Sequence, residues 1–350
     1  MNYCLILGCL LFSLHVNAAH DLDVYGVSAE ESQKILQRYG KRIANIFEEI
    51  HQGKTKDPSG FFESKQAEQL HKKLAKTLDE IKQQEHYVYA WPEAVYYAGN
   101  DYCVTLDVVT DKQKDRLHFI KNKLHPRKNY PKKHDIIDKM DEYSLIGMEL
   151  FLADELKKTS EDCPVYHCSM GFHHPKLKPY LEIFNEAAQQ QKTLILNTMN
   201  TDPDPERRAA AVFYVGHFKN PHEIISILLP HLNDPDEEVR NNVIRVIAMT
   251  SAKAEIIDID PKPFLTLLDS PSLTDRNKSL FVLSATAKSK LVKQYLIQYG
   301  QEPLLAILAM KQPDHHDIAY NILKEISGQD FGNNIEAWQS WFKKSKKSVV

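Results

Sequence analysis

The chain has 350 residues, of which 44 are Lys or Arg and 47 are Asp or Glu, giving a formal net charge of −3. That balance excludes a dedicated nucleic-acid binder, which needs a strongly basic face. Apolar residues make up 43% and glycines number 12; this is enough for folded cores, more than one at this length, and leaves little room for a glycine-rich phosphate loop.

Residues 1–19 read as a secretory signal peptide. Leu5 to Leu14 is mostly apolar but too short to span a bilayer. Val16-Asn17-Ala18 offers a small-residue cleavage site before Ala19 or His20. One feature departs from the usual pattern: no Lys or Arg precedes the apolar run. A lipoprotein signal at Ile6-Leu7-Gly8-Cys9 leaves too short a run before the cysteine. The expectation is a soluble exported protein without a transmembrane segment, periplasmic in a Gram-negative host or secreted from the cell.

Residues 20–122 are expected to form a small α+β domain of two helices plus antiparallel strands. Asp23 to Val27 reads as a short strand. Ser28-Ala29-Glu30-Glu31 is a capping box opening a helix to about Ile50, with Ile35, Tyr39, Ile43, Ile46 and Phe47 inward. A second helix spans about Glu63 to Glu85, with Leu70, Leu74, Leu78 and Ile81 on one face. The period then changes to two. Tyr87 to Trp91, Ala94 to Ala98, Asp101 to Thr110 and Arg116 to Ile120 read as strands, with Gly99-Asn100 as a hairpin turn. This order of elements is similar to that of small envelope modules of the POTRA kind. Asp107 is expected on a wet sheet face. The tyrosines and Trp91 here suit either cross-strand packing or a glycan or peptide face.

Residues 123–180 are expected as a basic linker, a helix and a Cys/His-containing junction. Lys121 to Asp135 carries six Lys or Arg and two Pro, which fits a solvated linker or a weak contact with anionic surfaces through Lys121–Lys133. A helix from Ile136 to about Lys158 offers Met140, Tyr143, Met148, Phe151 and Leu152 for burial. Cysteine usage then narrows the chemistry. Cys4 and Cys9 leave with the signal peptide, so Cys103, Cys163 and Cys168 remain. Export favours a Cys163–Cys168 disulfide with Cys103 a buried free thiol. The rival is a metal or redox centre using Cys163, His167, Cys168, His173 and His174, but their spacing matches no usual zinc motif. No catalytic motif and no cofactor site is recognised; His315-His316 reads as a solvated pair.

Residues 181–328 hold a repeated pattern. Asp202-Pro203-Asp204 is followed by Arg208, and Asp234-Pro235-Asp236 by Arg240; in both, Asp precedes Arg by six, and the copies lie 32 residues apart. Pro suits the first turn of a helix, and the acidic residues suit its positive end. Each Arg can reach a neighbouring repeat's Asp, giving an Asp–Arg ladder. A weaker third copy places Asp269 with Arg276, and a fourth begins at Gln312-Pro313-Asp314 and lacks the Arg. These residues resemble HEAT repeats, especially the short HEAT-like repeats first recognised in phycobilisome lyases. The resemblance implies a helical solenoid of four or five helix pairs and is nearly silent on activity; the extended surface of a solenoid leads to the expectation of a protein partner. Residues 329–350 are expected as a cap, with Ile335, Trp338 and Trp341 sealing the last repeat, and a basic tail. The fold class is therefore mainly α, a C-terminal HEAT-like α-solenoid preceded by the small α+β domain, and the expected function is non-enzymatic scaffolding.

Overall fold

The computed structural model describes residues 21–57, 60–97, 101–121, 130–153, 155–156 and 163–348. The signal peptide at 1–19, the Gly99-Asn100 turn and most of the basic stretch (122–129) lie outside the described residues. Fifteen α-helices and three strands are described, so the protein is mainly α with a small sheet near its N-terminus. Contacts divide the chain into two compact units, one of residues 119–267 with 281–295 and one of residues 21–118 with 268–280 and 296–348.

In the second unit, β1 (Asp21–Tyr25) is followed by α1 (Ala29–Ile35), a π-turn (Leu36–Gly40), α2 (Lys41–Lys56) and α3 (Lys65–Gln84). Ser28 caps α1 reciprocally with Glu31. Then β2 (Tyr87–Tyr96) and β3 (Tyr102–Thr110) form a hairpin. The sheet order is β1-β3-β2, with β1 parallel and β2 antiparallel to β3. Tyr87 to Trp91 and Ala94 onward, expected as two strands, are one strand. The strand expected at Arg116–Ile120 is a 3-10 segment, Asp111–Ile120. Phe119 and Ile120 at its end are both buried.

One sheet face carries Leu22, Val24, Val104, Leu106 and Val108, which pack with Ile35, Tyr39, Ile43, Phe47, Leu78 and Ile81 from the helices. Pairing of Asp23 with Thr105 and of Tyr25 with Asp107 puts polar residues on the opposite face. That face is covered too. Asp107, expected on a wet face, is fully buried, and β3 is buried along nearly its whole length. What covers it is the start of the third and fourth repeats. Tyr25 Oη donates to the Leu268 carbonyl at 2.8 Å, and Thr105 Oγ1 to Gln312 Oε1 at 2.9 Å. Asp23 Oδ2 accepts from the amides of Lys311 and Gln312 at 2.8 and 3.0 Å.

The first unit begins its helices with α4 (Ile136–Leu152), capped by Asp135. α5 (Lys178–Gln190), α6 (Lys192–Thr201), α7 (Pro205–Val215), α8 (Pro221–Leu228), α9 (Glu237–Ala254) and α10 (Lys262–Leu267) follow. Its core is built from residues such as Phe184, Ile195, Tyr214, Ile224, Val243 and Phe264, all fully buried. The remaining helices are α11 (Leu273–Thr286), α12 (Lys290–Tyr299), α13 (Gln301–Leu308), α14 (Pro313–Ser327) and α15 (Ile335–Ser345). Trp338 of α15 is fully buried, and its indole N–H donates to the Gly332 carbonyl at 2.9 Å.

Candidate functional site

The three corners before α7, α9 and α11 share one hydrogen-bond pattern. At each, the first polar side chain accepts from the amide two residues on: Asp202 from Asp204 at 3.1 Å, Asp234 from Asp236 at 2.8 Å, Ser270 from Ser272 at 3.1 Å. Such a turn satisfies an amide that the helix start leaves unpaired. Each Arg then folds back on the carbonyl six residues upstream. Arg208 Nη1 donates to Asp202 O at 2.9 Å, Arg240 Nη1 to Asp234 O at 2.6 Å and Arg276 Nη1 to Ser270 O at 2.7 Å. The third corner therefore begins at Ser270, not at Asp269 as the sequence pattern placed it. Counting back six residues from Arg276 was the signal available.

The outward half of each guanidinium finds a different partner. Arg208 makes a bidentate pair with Asp234 of the next repeat, at 2.9 and 2.8 Å. Arg240 donates to the Phe119 carbonyl at 2.5 Å. Arg276 pairs with Asp107 of β3 at 2.6 and 3.0 Å, and its guanidinium lies 4.2 Å from the Tyr25 ring centroid. Asp269 instead meets Arg116 Nε at 3.2 Å. Burial pushes the Asp107 carboxyl up to about 6, against the pull of Arg276.

A second cluster lies at the first corner and was not foreseen. Arg207, beside the ladder Arg208, is buried among three carboxylates. Its Nε meets Asp202 at 3.0 Å, its Nη2 meets Asp135 at 2.6 Å, and its Nη1 meets Asp138. Lys133 also reaches Asp202, at 2.6 Å, so one of the basic residues of Lys121–Lys133 is engaged by the protein itself. These contacts tie α4 to α7.

Cys163 and Cys168 are joined in a disulfide with Cα atoms 5.8 Å apart, and Cys103 is a buried free thiol. The bridged loop docks on the repeats. Lys253 Nζ donates to the carbonyls of Cys163 and Val165 at 2.5 and 2.8 Å, and Tyr166 N to Gly216 O at 3.0 Å. A Cβ on Gly216 would come within 2.9 Å of His167 Cβ, so glycine permits this approach. His167 is buried and stacks on Phe213, with centroids 4.9 Å apart and planes 5° from parallel. Burial, reinforced by Arg245 and His217, lowers its pKa to about 3. Burial alone lowers His217 to about 4, and its Nδ1 lies 2.9 Å from Asn185 Oδ1.

His173 is exposed, and His174 Nε2 lies 3.7 Å from Glu155. With both sulfurs bonded to each other, Cys163, His167, Cys168, His173 and His174 offer no ligand set. Among the described residues, no three His, Cys, Asp or Glu side chains are gathered so as to hold a metal. His315, expected to be solvated, is fully buried at the start of α14, whereas His316 bonds to Asp317 and Asn333. Tyr87, Tyr89 and Tyr102 are buried, while Trp91 and Tyr96 are exposed, so the aromatics of the sheet do not make one open face.

Helices joined by a recurring corner, each locked by an Arg to its own upstream carbonyl, define a helical-repeat protein of the α-solenoid class. Residues 193–283 match the HEAT repeats family, and that match spans all three Arg-locked corners. No curated protein and no solved structure matches the chain.

Proposed function

We propose that this protein is an exported scaffold or adaptor that binds another protein through the surface of its HEAT-like repeats and catalyses no reaction. The match of residues 193–283 to HEAT repeats carries this reading, because stacked repeats present extended surfaces suited to protein partners. The corner residues add support. Arg208, Arg240 and Arg276 are buried and spent on internal bonds, so the repeated motif builds a frame and leaves recognition to the exposed positions between corners. A Cys163–Cys168 bridge fits an oxidising compartment, in keeping with export to the periplasm or beyond.

In-cell crosslinking of the tagged mature protein tests the reading. A stoichiometric partner should be recovered, and Ser226→Arg combined with Glu238→Lys, both at exposed positions, should release it without unfolding the chain. Turnover of a substrate by the purified protein, stopped by changes near Cys163 that leave it folded, would sink the proposal.

A further inference from the structure

Helix α4 buries one face and leaves a second apolar face open. Ile137, Met140, Tyr143 and Leu150 are buried. Met148 and Phe151, which the sequence offered for burial, and Leu145 are 46, 59 and 63% exposed. Spaced by three, they form one continuous strip along the helix. Single exposed apolar residues are ordinary, but a contiguous strip marks an interaction site.

The border of the strip is acidic. Glu149 lies on its flank and makes no side-chain bond among the described residues. Asp141 lies at its N-terminal end, beside Asp138 and Glu206. Burial first, then the Asp138 charge, pushes the Asp141 carboxyl up to about 6, with Lys132 and Arg207 opposing. Asp141 and the exposed Glu149 thus place carboxylates at two points along the strip, with Asp138 at the N-terminal end already paired to Arg207. A second copy of α4 would bring the same carboxylates against these. An anionic membrane would be repelled in the same way.

We propose that the Leu145–Met148–Phe151 strip is a docking site for a basic amphipathic helix of a partner protein. This rests on the scaffold reading above and names a surface and a partner chemistry for it. Apolar residues at helical spacing on the incoming helix cover the strip, and its flanking Lys or Arg face Glu149 and the Asp141 cluster.

The test uses the full mature chain and a fluorescein-labelled amphipathic Leu/Lys peptide of about 18 residues, or five helical turns. Anisotropy should show saturable binding that weakens as salt rises. Leu145→Ser combined with Phe151→Ser should weaken it by about tenfold or more, with Glu149→Lys giving a smaller loss. These positions are exposed, and circular dichroism checks that each variant is folded. A peptide with Glu in place of every Lys should not bind. Affinity unchanged in the Leu145→Ser, Phe151→Ser variant, or equal binding of the Glu peptide, would overturn the proposal. So would self-association in sedimentation that this double variant abolishes, since the strip would then be covered by a second copy. If the crosslinked cellular partner is lost on changing Ser226 and Glu238 yet kept in the α4 double variant, the docking site falls while the scaffold reading stands.

Discussion

Two histidines set an acid-sensitive term in the first unit. His167 and His217 are held neutral in the folded chain, at about 3 and about 4, by burial, whereas in the unfolded chain each titrates near 6.5. The sign follows from linkage: the unfolded state takes up protons that the folded state refuses, so the stability each site contributes above pH 6.5 is lost as pH falls toward the folded value. Asp107 and Asp141, raised to about 6, act in the opposite sense over the same range, so the informative quantity is a difference between variants. His167→Gln removes one titrating site. Relative to that variant, the wild type should lose about 2 kcal/mol between pH 7 and pH 5 in urea denaturation. A gap that stays constant with pH would show that His167 is not the proton-refusing group. Nothing in the local sequence betrays this burial, because His167 lies between two cysteines in a short irregular stretch without helical or strand periodicity; its partner Phe213 is 46 residues away along the chain.

At the level of elements, the first two repeat corners were legible because their chemistry is local, while the third was placed at Asp269, one residue before its true start at Ser270. An Asp or Ser accepting from the amide two residues on, a Pro, and an Arg six residues after the first polar position all lie within one short stretch. What the outer half of each Arg binds was not legible. Arg276 and Asp107 are 169 positions apart, and the strand's alternation leaves its polar face looking solvated when no neighbour is known. The same long-range cover explains why the Asp111–Ile120 segment is not a strand: Arg116 turns onto the carbonyls of Asp269 and Val108, at 2.7 and 3.2 Å. The structural role of the pair is to clamp β3 on the third corner. Arg276→Met should destabilise the protein by about 3–5 kcal/mol, because it strands a fully buried carboxylate, while adding Asp107→Leu should recover most of the loss. Denaturation of both variants decides this. Equal destabilisation of the single and double variants would mean that packing around Arg276, and not the ion pair, is what matters.

For the molecule as a whole, cysteine accounting connects compartment to stability. Five cysteines are encoded, two of them in the expected signal peptide; the other three divide into one bridge and the buried Cys103. On the proposed export and loss of residues 1–19, the mature protein should have no thiol that reacts with an aromatic disulfide reagent in native buffer, and one per chain in denaturant. The bridge spans only five positions, so chain entropy gives it about 2 kcal/mol. Its larger effect is to hold in place the loop on which the Lys253, Gly216 and Phe213 contacts depend. Cys163→Ser with Cys168→Ser should cost at least that amount, and it should also raise the His167 pKa as the loop loosens and water reaches the ring, which NMR titration reads directly. Retention of the leader in the exported protein, or a count of three reactive thiols in denaturant, would contradict export into an oxidising compartment. A bridge whose loss changes stability by that amount but leaves His167 titrating as before would show that the repeats, and not the disulfide, hold the loop in place.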